Sequence, residues 1–135
     1  MFPPTTRVLI ADDMPSLREL LKAHLRRLGF RIITEANDGQ EAYQLMVAAK
    51  ASGNHFDLVI SDWNMPGMNG LDLLKVVRAV DGWKNLPFVL LTTESEKSKV
   101  MEAILAGASN YIVKPVEANT LEEKLKAVWA KTQQG

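Results

Sequence analysis

The chain has no cysteine. Disulfide scaffolds, thiolate metal sites and cysteine nucleophiles are therefore excluded. Histidine is almost as scarce, with two copies, His24 and His55, and neither has a catalytic partner visible in the sequence. Neither sign of charge predominates, since 16 Lys and Arg face 16 Asp and Glu. A balanced chain has no electrostatic case for wrapping nucleic acid or an anionic membrane. No apolar run approaches the ~18 residues that a membrane span needs. The opening residues Met1 to Arg7 lack the basic-then-apolar order of a signal peptide. Repeats, linkers and low-complexity tracts are also missing. A cytoplasmic protein is the expectation.

What is present is one domain's worth of chain. Its 135 residues, 47 % of them hydrophobic, suffice to close a core without staples. Short apolar runs alternate with longer amphipathic ones. Val8–Ala11, Arg31–Ala36, Phe56–Ser61, Pro87–Thr92 and Asn110–Val113 read as strands. Leu17, Leu20, Leu21, Leu25 and Leu28 recur at helical spacing and stop at Gly29. Asp38 is placed to cap a second helix running to about Ser52. A loop with Pro66, Gly67 and Gly70 leads to a third helix from Leu71. Ser95–Ala106 reads as a fourth, with Val100, Ile104 and Gly107 on one face, and Thr120–Thr132 as the last. Trp83 is expected to pack over the end of the third helix, and Trp129 to be partly buried.

Apolar strands without in/out alternation are buried on both faces. Five strand–helix units then mean an α/β fold, a parallel sheet covered by helices on each side. Right-handed crossovers make it doubly wound.

Ligands of such sheets bind outside the carboxyl ends of the strands. Asp12 and Asp13 follow the first strand, Asp62 the third, Thr92 and Thr93 end the fourth, and Lys114-Pro115 follows the fifth. Three carboxylates sharing one crevice repel one another unless a cation sits among them. All-oxygen donors select a hard ion, and Mg²⁺ suits few carboxylates plus water and a phosphate oxygen. A lysine can neutralise a phosphoryl oxygen and a threonine hydroxyl can donate to another. A carboxylate can itself be the nucleophile, giving an aspartyl phosphate.

Taken singly, each residue has a plain structural role. Asp12-Asp13 ahead of Pro15 can cap a helix. Asp62 can be a turn residue, Thr92 a strand hydroxyl and Lys114 a surface lysine. Together, at matching strand ends, they point to phosphoryl chemistry.

Those residues resemble a family. Val8-Leu9-Ile10-Ala11-Asp12-Asp13, Asp62-Trp63-Asn64-Met65-Pro66, Gly70-Leu71, Leu91-Thr92, Gly107-Ala108, Tyr111 and Lys114-Pro115 stand in the order and spacing of bacterial two-component response-regulator receiver domains. The likeness covers essentially the whole chain and is nearest to the single-domain chemotaxis type. It implies a flavodoxin-like (βα)5 sandwich with strand order 2-1-3-4-5. It implies one receiver domain over 1–135, with a core of about 6–131 and no output domain. Asp62 would accept a phosphoryl group from a histidine kinase. Asp13, Asp62 and the backbone carbonyl of Asn64 would ligate Mg²⁺, and Asp12 would help through a water. Lys114 would pair with Asp62 and then with the phosphoryl group, which Thr92 would approach. Tyr111 would move inward behind it. Thr93, where the family has a small residue, and Glu94 would modulate hydrolysis. The Lys114–Pro115 bond would be cis. The readout face would be the fourth helix, fifth strand and fifth helix, with Lys97, Lys99, Met101, Tyr111 and Lys124 as contacts. Its expected partner is a flagellar motor switch protein, with a phosphatase as a further one, and the chain is expected to be a monomer.

Other functions were weighed on the same residues. A relay shuttle or a phosphate sink fits an isolated receiver equally well. A Mg²⁺-dependent phosphohydrolase with an aspartate nucleophile would carry an acid two residues on, where Asn64 stands. A docking module that no longer takes phosphate would have lost an acidic or lysine position, and none is lost.

Overall fold

A computed structural model describes residues 1–93 and 97–134. In chain order the elements are β1 (Arg7–Ala11), α1 (Pro15–Arg27), β2 (Ile32–Ala36), α2 (Gly39–Ala51), β3 (Leu58–Asp62), α3 (Gly70–Arg78), β4 (Phe88–Thr92), α4 (Lys97–Leu105), β5 (Asn110–Val113) and α5 (Ala118–Gln134). Five parallel strands form one sheet in the order β2-β1-β3-β4-β5. This is the expected doubly wound α/β sandwich.

Alternate strand residues divide the core in two. Val8, Ile10, Leu58, Ile60, Val89, Leu91 and Ile112 face α1 and α5, where Leu21, Leu25, Leu121, Leu125 and Val128 cover them. Leu9, Val59, Phe88 and Leu90 face the other layer, with Met46 of α2, Leu73, Leu74 and Val77 of α3 and Ala103 of α4. β3 and β4 are buried along their whole length. β2, at an edge, buries only Ala36.

Local signals set most boundaries. The Asp38 side chain accepts a hydrogen bond from the Glu41 N–H at 2.8 Å and so caps α2. Asn69 does the same for α3 through the Asp72 N–H at 2.8 Å. Trp83 is buried beside Val77 and Leu86, and its carbonyl accepts from Arg78 Nη1 at 2.8 Å. Trp129 is half-buried, and its ring lies 5.0 Å from that of Phe2.

Three readings differ from the structure. β3 runs through Asp62 instead of stopping before it, because its ladder continues to the Asp62–Leu91 pair. The cap of α1 is Met14, with no side-chain hydrogen bond, and not the acidic pair. In α4 the buried residue is Ala103, whereas Ile104 is 52 % exposed. A short helix resting on one alanine leaves its larger apolar side chains outside.

Candidate functional site

The parallel register brings the strand ends to one level. Ala11 pairs with Ser61 and with Ala36, Asp62 with Leu91, and Thr92 with Val113. The ladder then runs one bond further at each end. Asp12 N–H donates to the Ala36 carbonyl at 3.2 Å, Trp63 N–H to Leu91 at 2.8 Å, and Lys114 N–H to Thr92 at 2.7 Å. The residues after β1, β3 and β5 are thereby held by backbone bonds.

Asp12, Asp13 and Asp62 converge there. Each offers a carboxylate oxygen within 4.8 Å of the others. Asp12 and Asp62 are buried, at 2 % and 5 % exposure, while Asp13 faces solvent. Lys114 Nζ bridges the two buried ones, 3.0 Å from Asp62 Oδ1 and 3.5 Å from Asp12 Oδ2. Burial pushes the Asp62 carboxyl above its ordinary value of 3.8, and the neighbouring Asp12 charge adds to the rise. The Lys114 ammonium and the Asn64 backbone N–H pull it back. One ammonium among three carboxylates leaves the crevice short of positive charge. The all-oxygen donor set, with one member open to solvent, fits a hard divalent cation.

The surrounding elements hold these groups in place. Asp12 Oδ1 accepts from the Met14 N–H at 3.0 Å, and its carbonyl accepts from Arg18 Nη1 at 2.6 Å. Arg18 in turn is tied to Glu35 Oε1 at 3.1 Å. A hydrogen bond from Lys22 holds the Glu35 carboxyl below its ordinary range. Behind Asp62, the Gly70 N–H donates to the Trp63 carbonyl at 2.9 Å. A Cβ on Gly70 would overlap the Asp62 carbonyl oxygen. Arg18 was not picked out from the sequence. No side-chain pattern in the sequence signals its bond to the Asp12 carbonyl.

The other expected residues are distributed as follows. Thr92 is buried at the end of β4, and Thr93 is exposed beside it. Asn64 is exposed on the loop after β3. Lys114–Pro115 is a cis peptide. Tyr111 is half-buried on β5, and Lys124 Nζ stands 4.5 Å from its ring centre. Lys99 Nζ stands 5.4 Å from the ring of Trp63, which is 7 % exposed. Met101 and Lys97 are exposed on α4. Glu94 lies outside the described residues, as does the expected start of α4 at Ser95. His24 keeps a buried Nδ1 without a hydrogen-bond partner among the described residues. No helix among the described residues is long and apolar enough to cross a membrane.

The chain is similar to known proteins over most of its length. The family model described as response regulator receiver domain matches residues 8–126. The chain is 42 % identical over 123 residues to the chemotaxis protein CheY of Pseudomonas aeruginosa, covering 91 % of this chain and 95 % of that one. The solved chemotaxis response regulator CheY4 of Vibrio cholerae superposes with a TM-score of 0.78 at 37 % identity, covering 91 % and 98 %. A chain of the CheX–CheY–BeF3–Mg²⁺ complex of Borrelia burgdorferi superposes with a TM-score of 0.81 at 28 % identity, covering 92 % and 89 %. With that match spanning the sheet and every strand end that lines the acidic crevice, the chain belongs to the response regulator receiver domain family.

Proposed function

We propose that the chain is a phosphorylation switch that carries its phosphoryl group on Asp62. Membership of the family already means phosphorylation-dependent signalling and not a metabolic enzyme. The finer reading rests on one observation above all. A buried carboxylate, Asp62, is bridged by Lys114 Nζ to a second buried carboxylate, Asp12, within reach of Asp13.

In that reading an Asp62 oxygen attacks phosphorus of a histidine kinase phosphohistidine. A P–O bond forms as the P–N bond breaks, and the imidazole leaves. Lys114 moves its charge from the Asp62 carboxylate to a phosphoryl oxygen. The Thr92 hydroxyl donates to another. Asp12, Asp13, Asp62 and the Asn64 carbonyl would hold Mg²⁺, which supplies charge neutralisation in the crevice. Thr93 and Glu94 would set the access of water to the product. Phosphorylation then favours one of two arrangements of the α4–β5–α5 face, with Tyr111 moving between them.

Chemotaxis is the proposed setting, on the strength of the names that the relatives carry. A flagellar switch protein is the proposed target. Exposed apolar Met101, Ile104 and Leu105 on α4, which packs beside β5, and the Tyr111–Lys124 pair support that face as the contact.

Trp63 follows Asp62 directly and reports on the crevice. Adding Mg²⁺ and then beryllofluoride, a phosphoryl mimic, is expected to give a saturable, Mg²⁺-dependent change in its emission. Asp62→Asn is expected to abolish the beryllofluoride step. An unchanged beryllofluoride response in that variant overturns the assignment of Asp62.

A further inference from the structure

We propose that the cleft at the amino ends of β4 and β5 binds a small phosphate ester. This cleft lies at the opposite end of the sheet from Asp62 and is independent of the reading above. Its volume of about 480 Å³ is that of a small-molecule site. The end of α3, the loop before β4, the α4–β5 turn and the end of α5 form its walls. Arg78, Lys84 and Lys131 all line it, and among the described residues no carboxylate does. In a chain with no net charge, that gathers three cationic side chains, of which Lys84 is paired with Asp81 outside the cleft lining.

Arg78 is the fixed element of the site. Its Nε–H donates to the Gly107 carbonyl at 3.0 Å, its Nη1 to the Trp83 carbonyl at 2.8 Å, and its Nη2 reaches Ser109 Oγ at 3.5 Å. Gly107 has φ +99°, and a Cβ there would stand 3.2 Å from Arg78 Nε. Glycine therefore lets the guanidinium lie across the turn. All three partners are neutral oxygens. Among the described residues no carboxylate pairs with Arg78 or Lys131. Burial accordingly draws the guanidinium below its ordinary value.

A guanidinium has five N–H donors. Among the described residues three are used, all on neutral oxygens, which leaves two. Lys131 spends one donor on the Ser109 carbonyl at 3.1 Å and keeps two. Among the described residues Lys84 pairs only with the exposed Asp81, at 3.5 Å. A planar fork beside two ammonium groups is the donor set that phosphate oxygens take. A dianionic phosphate would offset the desolvated charge that the neutral carbonyls leave standing.

The test is a nuclear magnetic resonance titration of the full chain without divalent cations. The probes are inorganic phosphate, glucose 6-phosphate and adenosine monophosphate, each against chloride at matched ionic strength. Saturable shifts at the Gly107 and Ser109 amides and at Arg78 Nε–H are expected for at least one probe. Equal binding of all three assigns the site to the phosphate group alone, and preference for one ester names its class. Arg78→Ala removes the brace on the α4–β5 turn and tests folding as much as binding. The informative variant is Lys84→Gln with Lys131→Gln. It is expected to weaken binding about tenfold or more, the loss of one or two charge-assisted hydrogen bonds. Shifts no larger than those from chloride, or binding unchanged in that double variant, would overturn the proposal.

Discussion

At the scale of single residues, Asp62 holds a charge where burial opposes it. Its carboxyl is pushed above 3.8, first by burial. The folded chain therefore binds a proton there more tightly than the unfolded chain does, and the ionised form costs stability at neutral pH. That cost is complete above the raised folded value and disappears as pH falls past 3.8, the ordinary value of an unfolded aspartate. Asp62→Asn is thus expected to raise the melting temperature at pH 7 by about 3 °C, with the gain shrinking toward pH 4. Circular dichroism melts across that range measure it, and a lower melting temperature at pH 7 would contradict it. Lys114→Met should act in the opposite direction. It leaves two buried carboxylates without their shared ammonium and is expected to cost about 3 kcal/mol at neutral pH. Mg²⁺ should restore more stability to this variant than to the parent, which melts with and without the ion will show. These strand-end residues were legible because a parallel sheet presents its carboxyl ends as one edge, so a few short motifs sufficed. Arg18 was not, because its value lies in a bond to the Asp12 carbonyl that no side-chain pattern displays.

At the scale of elements, α3 starts against the back of the site. Gly70 leaves no room for a side chain beside the Asp62 carbonyl and Leu90. Gly70→Ala should force α3 outward and cost about 1–3 kcal/mol in chemical denaturation. It should also disturb Asp62, so slower phosphorylation by acetyl phosphate is expected with it. α1 offers the contrary case. Its cap Met14 is extended, 51 % exposed and without a side-chain hydrogen bond. Met14→Ser supplies the missing acceptor and is expected to stabilise by about 0.5–1 kcal/mol. Asp38 and Asn69 were caps of the ordinary kind, and Asp38 was readable in advance from the turn before α2. α4 was harder. Helical spacing put Val100 and Ile104 on one face, but spacing gives a relative phase and not which side meets the sheet. Ala103 takes that place because a small residue lets a nine-residue helix lie close.

At the scale of the whole molecule, the order of strands divides the labour. β1, β3 and β4 sit in the middle of the sheet, so Asp12, Asp62 and Thr92 lie on or just after strands with a neighbour on each side. The edge strand β5 carries Tyr111 and leads to Lys114, so it touches both the crevice and the outer face formed with α4 and α5. This architecture was readable in the sequence because alternating short apolar runs and amphipathic helices admit few other layouts. The basic cleft at the other end was not, since Arg78, Lys84 and Lys131 are brought together only by the fold. The proposed switch takes its phosphoryl group on Asp62. Its most direct test is the intact mass of the chain after incubation with acetyl phosphate, with and without Mg²⁺, alongside Asp62→Asn. One phosphoryl group gained only with Mg²⁺, and absent from the variant, is the expected result. An adduct that persists in Asp62→Asn, or none under rapid quench with Mg²⁺ present, would contradict it.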